Sequence, residues 1–217
     1  MADGLTVSVE RVEAVGAEAI LLHLLLTDGE HEEHRTCTVL PEIYATQSFS
    51  VGPISREDYR VILRAEELST AIKKGMQMLA FSDASFAGIV RKLMQKGTDE
   101  KTARSAARYL RAKGYIREQD AVLRAADECL RKLWGPQRIL AKLYRDGYDD
   151  DALYTAKAYI EEMDLVGNCV SLIRKKTPSV PEDRELRRKL CASLLRFGYS
   201  QTQITEAFRR LSQETEI

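Results

Sequence analysis

The feature that most constrains this chain is a short pattern that occurs three times, at intervals of 50 and 51 residues. The copies begin at Ile89, Ile139 and Leu190. Each copy has an aliphatic residue, a second one four positions later, and a glycine four positions after that. Apolar residues four apart lie on one face of an α-helix, and a glycine can end that helix in the left-handed conformation. A period that holds over many positions predicts a repeated structural unit.

The pattern continues beyond each glycine, where a residue with a capping side chain predicts the start of another helix. The capping positions are Asp99, Asp149 and Ser200. Equivalent apolar positions follow at Ala103, Leu153 and Ile204, at Ala106, Ala156 and Ala207, and at Leu110, Ile160 and Leu211. A further helix precedes each pair, so the predicted unit has three helices. The simplest interpretation of these apolar residues is that they form core.

We therefore predict a mainly α fold of three tandem three-helix repeats in an elongated, curved array, preceded by a small β-hairpin or meander and a helical connection. The predicted boundaries are 1–52 for the β segment and 53–70 for the connection. The three repeats are predicted at 71–117, 118–164 and 165–217.

The first 50 residues have the alternating pattern of half-buried strands. Predicted strands cover Leu5–Val12, Ala19–Leu26 and Arg35–Leu40, with a tight turn at Asp28-Gly29. Pro41 is predicted to end the third strand.

The connection begins with the helix-breaking and strand-breaking pair Gly52-Pro53. Ser55 fits a capping box that starts a helix reaching about Leu68. A second helix is predicted over Ser69–Phe81, with Gly75 as its weak point.

The charge distribution is uneven although the net charge of the chain is zero. Residues 1–50 contain two basic and nine acidic residues, which gives −7 and leaves +7 for the remainder. Such asymmetry indicates different partners for the two parts.

Localisation and metal binding are constrained by weaker signals. No apolar run reaches the roughly 20 residues of a membrane helix, and the N-terminus lacks a secretion pattern. Four isolated cysteines form no zinc motif and are typical of a cytoplasmic protein: Cys37, Cys129, Cys169 and Cys191. His31 and His34 with two adjacent glutamates suggest a metal site, but a solvated hairpin end explains them as well. We expect neither a metal nor a cofactor.

Motifs for catalysis are absent from the sequence. There is no phosphate-binding loop, no G-x-S-x-G and no H-E-x-x-H. The repeat region contains no histidine, and the carboxylates of Asp149–Asp151 are better interpreted as a helix cap. We expect a protein that is not an enzyme.

Three short segments occur in order along the helical part of the chain. The first is Gly114-Tyr-Ile116, and the second begins at Trp134-Gly-Pro and runs to Gly147. The third is Leu194-Leu-Arg-Phe-Gly-Tyr-Ser200, followed by Ile204. Together they resemble the RecX family of small bacterial regulators of the RecA recombinase, over about residues 55–212.

The chain departs from the family pattern at several positions. In the family, two acidic residues usually follow the first segment. In this chain those two positions are occupied by Arg117 and Glu118. The family usually has a basic residue before the serine of the first repeat, and this chain has Ala84 there. Three residues after that serine, Gly88 replaces the usual glutamate.

The resemblance implies a monomer that lies in the helical groove of the RecA–DNA filament, bridges protomers, and suppresses ATP hydrolysis and strand exchange. It thereby implies a role in DNA recombination, DNA repair and the SOS response. Basic residues of the middle helices are the predicted contacts to acidic filament surfaces or DNA phosphates: Arg91, Lys92, Arg138, Lys142, Arg145, Arg187, Arg188, Lys189 and Arg196. The alternative is a helix-turn-helix-like protein that binds single- or double-stranded DNA directly, without RecA.

Overall fold

The computed structural model describes residues 5–29, 31–47, 49–177 and 180–215. They form ten helices and a small N-terminal antiparallel sheet, which confirms the predicted fold class. The chain divides into two compact units. One contains the chain up to Ser82 together with Ile89–Tyr115, and the other contains Asp83–Gly88 and the chain from Ile116 onward.

The sheet has four strands in the order β3-β2-β1-β4. They are β1 (Leu5–Val15), β2 (Ala19–Asp28), β3 (His31–Val39) and β4 (Gly52–Ile54). Alternate side chains are buried on one face, and these are Val7, Val9, Leu22, Leu24, Leu26, Cys37 and Val39. The alternation seen in the sequence is therefore the inner face of the sheet.

Two elements between β3 and the first long helix differ from the prediction. Helix α1 (Pro41–Ala45) begins at the proline that was expected only to end a strand. The predicted break at Gly52-Pro53 is instead the short strand β4, in which Pro53 lies opposite Ser8 of β1. A proline is tolerated there because β4 is an edge strand, where a missing N–H costs no sheet bond.

Helix α2 (Arg56–Phe81) is a single helix of 26 residues, so the predicted division at Ser69 is wrong. The predicted capping box at its start is present, with Ser55 and Asp58 as its members. Ser69 is buried in mid-helix, where its hydroxyl donates to the Ala65 carbonyl (2.7 Å) and accepts from the Leu40 amide (2.9 Å). A serine whose hydroxyl is used in this way does not need to cap a helix.

Helix α2 packs against β3 and β1 and also against α4 (Glu100–Ala112). Gly75, predicted as a weak point, is buried at the crossing with α4, where an added Cβ would lie 2.5 Å from Leu110 Cδ1. Its lack of a side chain allows the close approach of the two helices. Helix α3 (Phe86–Gln95) buries Ile89 and Leu93.

The second unit contains two groups of three helices, each around its own core. The first group is α5 (Glu118–Arg131), α6 (Pro136–Asp146) and α7 (Asp150–Glu161), and the second is α8 (Leu165–Lys176), α9 (Arg184–Arg196) and α10 (Gln201–Thr215). Ile139 and Leu143 lie in the first core. Leu190 and Leu194 lie in the second.

The predicted helix starts and stops are confirmed locally. Asp99 and Asp149 accept hydrogen bonds from the amides of Thr102 and Ala152, both at 3.0 Å, and Ser200 forms a capping box with Gln203. The glycines that end the three copies have φ of 85°, 82° and 94° at positions 97, 147 and 198. The division into three equivalent repeats with the boundaries given above stays a prediction.

Candidate binding surface

The two helix groups of the second unit meet backbone to backbone at Gly135 and Gly198. The Gly135 amide donates to the Phe197 carbonyl (2.7 Å), and the Gln137 amide donates to the Gly198 carbonyl (3.2 Å). A Cβ on Gly135 would overlap backbone atoms of Gly198 and Tyr199. Two turns that are far apart in the sequence are therefore joined without side chains between them.

Aromatic and cationic side chains stack beside this junction. The Arg138 guanidinium lies 3.9 Å from the centre of the Trp134 ring and 5.2 Å from that of Phe197. On Phe197, the ammonium of Lys176 lies 4.8 Å from the ring centre. Such contacts contribute roughly 0.5–1 kcal/mol each at exposed sites. Arg138, predicted to contact a partner, thus stabilises the junction within the chain.

Within the second unit, the largest concentration of positive charge lies between the two junction glycines along the chain. Residues 174–196 contain eight basic and three acidic residues, a net charge of +5. We call the eight basic residues the basic segment: Arg174, Lys175, Lys176, Arg184, Arg187, Arg188, Lys189 and Arg196. Sequence reasoning placed four of them in the binding set and omitted the other four, although the run at 174–176 was visible.

Side-chain contacts distinguish the members of this segment. Lys189 pairs with Glu185 (2.8 Å), and the Arg187 guanidinium lies 5.0 Å from the centre of the Phe208 ring. Arg188 and Arg196 are exposed and have no ion-pair partner among the described residues. These two arginines therefore keep their charge available for an external anion.

The predicted site residues of α6 are less available. Lys142 is half-buried and pairs with Asp146 one turn later. Arg145 lies exposed on the same helix. The charge of Lys142 is largely compensated within the helix.

Arg91 and Lys92 belong to the first unit. Arg91 is exposed on α3. Lys92 is half-buried and its ammonium donates to the Ser82 hydroxyl at 3.4 Å, a long and weak bond.

An apolar cavity of about 480 Å³ lies on α6 and α7 beside two tyrosines. Tyr144 and Tyr154 are 74% and 77% exposed, which is unusual for large aromatic side chains. Leu140, Leu153 and Lys157 complete most of its lining. Sequence reasoning did not identify these tyrosines, because an aromatic residue in an amphipathic helix is more often part of a core.

Glu118 is a second residue whose role the sequence did not reveal. Its carboxylate accepts a hydrogen bond from the Phe86 amide at 2.8 Å, at the N-terminus of α3. Ser85 accepts from the Gly88 amide (2.9 Å) and donates to the Asp146 carbonyl (2.7 Å). A carboxylate from α5 thus satisfies an amide in the first turn of α3, although a glutamate at position 88 would instead have bonded the Ser85 amide.

Three of the four cysteines are poor nucleophiles in this fold. Burial raises the pKa of Cys37 to about 11 and that of Cys169 to about 12. Burial also raises the pKa of Cys129. A thiol with a raised pKa stays protonated near neutral pH and reacts slowly. These three thiols serve as small core residues.

Within the described ranges, no three His, Cys, Asp or Glu side chains come together in a way that would hold a metal ion. Among the helices that the structure describes, none combines the length and apolar character required to cross a membrane.

The solved structures that are similar to this one include two RecX proteins. A structure described as regulatory protein RecX has a TM-score of 0.71 and 17% sequence identity, and the match covers 92% of this chain and 99% of that chain. RecX from Lactobacillus salivarius has a TM-score of 0.59 and 21% identity, with coverage of 69% and 99%. No family model and no curated protein matches the sequence. The chain therefore has the fold of the solved RecX proteins, and the resemblance seen in its sequence is confirmed at the level of fold.

Proposed function

We propose that this protein is a RecX-type regulator of the RecA recombinase. It binds as a monomer along the RecA–DNA filament in the cytoplasm and lowers the rates of ATP hydrolysis and strand exchange. The observation that carries this proposal is the fold match over 92% of the chain to a regulatory protein RecX. The three sequence segments that resemble the family support it independently.

The basic segment is the part of the second unit best suited to an anionic partner. Its net charge of +5 complements DNA phosphates or acidic protein surfaces. Arg188 and Arg196 contribute most in this proposal, because their guanidinium groups are exposed and not compensated by a described carboxylate. The attraction to an anionic partner is increased by the positive charges of Lys189, Arg187 and Arg145.

Regulation in this proposal needs no chemistry by the chain. A ligand that contacts neighbouring protomers shifts the filament towards the state that it binds more tightly. A tenfold preference for the inactive geometry corresponds to about 1.4 kcal/mol per bound regulator. A protein present below one copy per protomer is then sufficient to change the average hydrolysis rate.

The proposal is tested by measuring RecA ATP hydrolysis on single-stranded DNA while this protein is added at less than one copy per RecA protomer. We expect the steady-state rate to fall, together with the mean filament length seen by electron microscopy. An unchanged rate and length at saturating binding would refute regulation of RecA by this chain.

The contribution of the basic segment is tested with the double variant Arg188→Glu/Arg196→Glu. Its affinity for the filament is expected to fall at least tenfold and to lose part of its salt dependence, since each phosphate contact contributes to the salt slope. Lys101→Glu/Arg108→Glu is the matched control, because it changes the net charge by the same amount at two exposed positions of α4. Equal loss in both variants would show that the effect is only one of net charge.

Direct nucleic-acid binding is the second candidate function. The exposed Tyr144 and Tyr154 favour it, because aromatic rings near positive charge can stack on unpaired bases. Binding to bare single-stranded DNA and to RecA-coated DNA is compared at the same ionic strength. Affinity for bare DNA equal to that for the filament would favour this second function over RecA regulation.

A further inference from the structure

Strand β3 is an edge of the sheet, and only part of that edge is covered. The Thr38 amide donates to Glu66 Oε1 (3.2 Å), and the Leu40 amide donates to Ser69 Oγ (2.9 Å). Both acceptors lie on helix α2. The helix therefore satisfies the outward N–H groups at the carboxyl end of β3, where a further strand would otherwise pair.

The amino-terminal half of the same edge lacks such cover. Backbone groups of every second residue point away from β2, so Glu32, His34 and Thr36 share the outward direction of Thr38. Within the described part of the chain, no group bonds to the outward backbone N–H or carbonyl of these three residues. All three are exposed. The open edge, defined as residues 31–36, is a template for strand addition.

The side chains around the open edge are predominantly acidic. Glu32 and Glu33 lie on the two faces of β3, and Glu10 of β1 pairs with His34 at 3.0 Å. The first 50 residues as a whole carry a net charge of −7.

Arg35 is the one arginine in this edge, and its charge is directed inward. Its guanidinium pairs with Glu66 at 3.0 Å and donates to the Tyr59 hydroxyl at 3.4 Å. The ion pair compensates the positive charge, so Arg35 does little to neutralise the acidic edge.

The same charges decide which kind of strand can pair here. In an antiparallel pair of two copies of this edge, any register that sets Glu32 or Glu33 opposite its counterpart brings like charges together, which destabilises a sheet. A strand that carries lysines or arginines gains the backbone bonds without this repulsion. The acidic edge therefore favours a basic segment.

We propose that the open edge of β3 binds an extended, basic segment of another protein, which adds to the sheet as a fifth strand. Backbone hydrogen bonds to residues 32, 34 and 36 provide the alignment, and the surrounding carboxylates provide the specificity. The proposal does not rest on the proposed function, because it concerns a different unit and a different charge.

The probe is a synthetic nine-residue peptide in which Lys or Arg alternates with Thr or Val, and its partner peptide has Glu at the basic positions. Fluorescence anisotropy with the full chain is expected to show binding of the basic peptide and none of the acidic one. Amide hydrogen exchange measured by NMR is expected to slow at residues 32, 34 and 36 when the basic peptide is bound.

Two variants separate backbone pairing from charge attraction. Thr36→Pro removes an outward donor while the bonds of β3 to β2 remain, because a proline is compatible with an edge strand when its nitrogen faces solvent. We expect it to weaken peptide binding at least tenfold. Glu32→Lys/Glu33→Lys is expected to have an effect at least as large. The control is Glu18→Lys, an exposed position at the other end of the sheet, which should leave binding unchanged.

Three results would overturn the proposal. The first is no binding of the basic peptide by the unaltered chain. The second is binding that is weakened by the charge variants but not by Thr36→Pro, with no change in the amide exchange of residues 32, 34 and 36. That result would mean that the peptide is held by diffuse electrostatic attraction and not by strand pairing. The third is self-association in sedimentation that Thr36→Pro abolishes, which would assign the edge to a second copy. If Thr36→Pro unfolds the sheet, the exchange measurement on the unaltered chain decides the question.

Discussion

Gly135 and Gly198 show how strongly single residues constrain this fold. A Cβ on Gly198 would lie 2.5 Å from the backbone nitrogen of Arg138, and its φ of 94° is one that other residues rarely adopt. At Gly135 the obstructing atoms are also backbone atoms, which cannot move aside as a flexible side chain can. By contrast, the atom nearest to a Cβ on Gly75 is the terminal methyl of Leu110.

This contrast predicts different costs for two identical substitutions. Gly135→Ala should lower the free energy of unfolding by about 3 kcal/mol, because overpacking against backbone must separate the two turns. Gly75→Ala should cost less than about 1 kcal/mol, because alanine favours a helix over glycine and the Leu110 side chain can rotate. Urea unfolding of both variants measures the difference. Equal costs would show that the Gly135–Gly198 contact is not rigid.

The cap that Glu118 provides for helix α3 cannot be predicted from a local sequence pattern. Its carboxylate caps a helix whose first residue is 32 positions earlier in the chain. The sequence indicated only that an acidic residue follows Gly114-Tyr-Ile116 and that position 88 lacks a capping glutamate. The fold connects these two observations.

At the scale of elements, helix ends follow local sequence closely. Hydrogen bonds from the Thr102 hydroxyl and amide lower the pKa of Asp99, and the Gly167 amide lowers that of Asp164. Arg209 has the same effect on the pKa of Glu206. Each of these carboxylates interacts more favourably in its ionised form once the chain is folded.

The lowered pKa values predict the direction of the pH dependence. A group whose pKa is lower in the folded chain stabilises it fully above its unfolded pKa of about 4, and this contribution is lost as the pH falls through the lower, folded pKa. The free energy of unfolding should therefore decrease below about pH 4. Asp99→Asn keeps a capping oxygen but does not titrate, so its deficit relative to the unaltered chain should shrink from pH 7 to pH 3. Urea unfolding at both pH values tests this, and a constant deficit would contradict it.

The long helix α2 is an element that local sequence described incorrectly. Ser69 and Gly75 are residue types that often interrupt helices, and the prediction placed a boundary and a weak point there. In the structure, the first bonds the β3–α1 connection at Leu40 and the second allows α4 to approach. Both residues are needed for contacts with other elements. The sequence of the segment alone does not contain those contacts, so it predicted helix breaks there instead.

At the scale of the whole molecule, the zero net charge conceals an acidic sheet segment and a basic segment in the second unit. The two proposals of partner binding assign a different partner to each: a RecA–DNA filament for the basic segment, and a basic strand for the open edge of β3. This division agrees with the charge asymmetry in the sequence. The predicted binding set of nine basic residues stays a prediction.

Thiol reactivity reports on the integrity of both units at once. Cys37, in the first unit, and Cys129 and Cys169, in the second, are buried and have raised pKa values, whereas Cys191 is only half-buried. Iodoacetamide at pH 7.5 should therefore label Cys191 first, and all four cysteines should react in denaturant. Mass spectrometry of timed samples follows the order. Early labelling of Cys37 would show that the sheet opens readily, and early labelling of Cys129 or Cys169 would show this for the helical cores.

The sequence by itself determined the features that depend on neighbouring residues. These include the alternation of β1 and β2, the apolar stripe through Ile139 and Leu143, the helix caps at Asp99 and Asp149, and the left-handed glycine at 147. Each follows from periods of two or 3.6 residues, or from a cap within three residues, so the information is present in one short segment.

Only the tertiary structure decided the features that join distant residues. It paired β4 with β1, made α2 one helix, placed Arg138 between Trp134 and Phe197, and joined Gly135 to Gly198. The physical reason is that each depends on which surfaces meet after the helices have formed. A basic residue on an amphipathic helix has the same local pattern whether it stacks on a ring of its own chain or faces a partner.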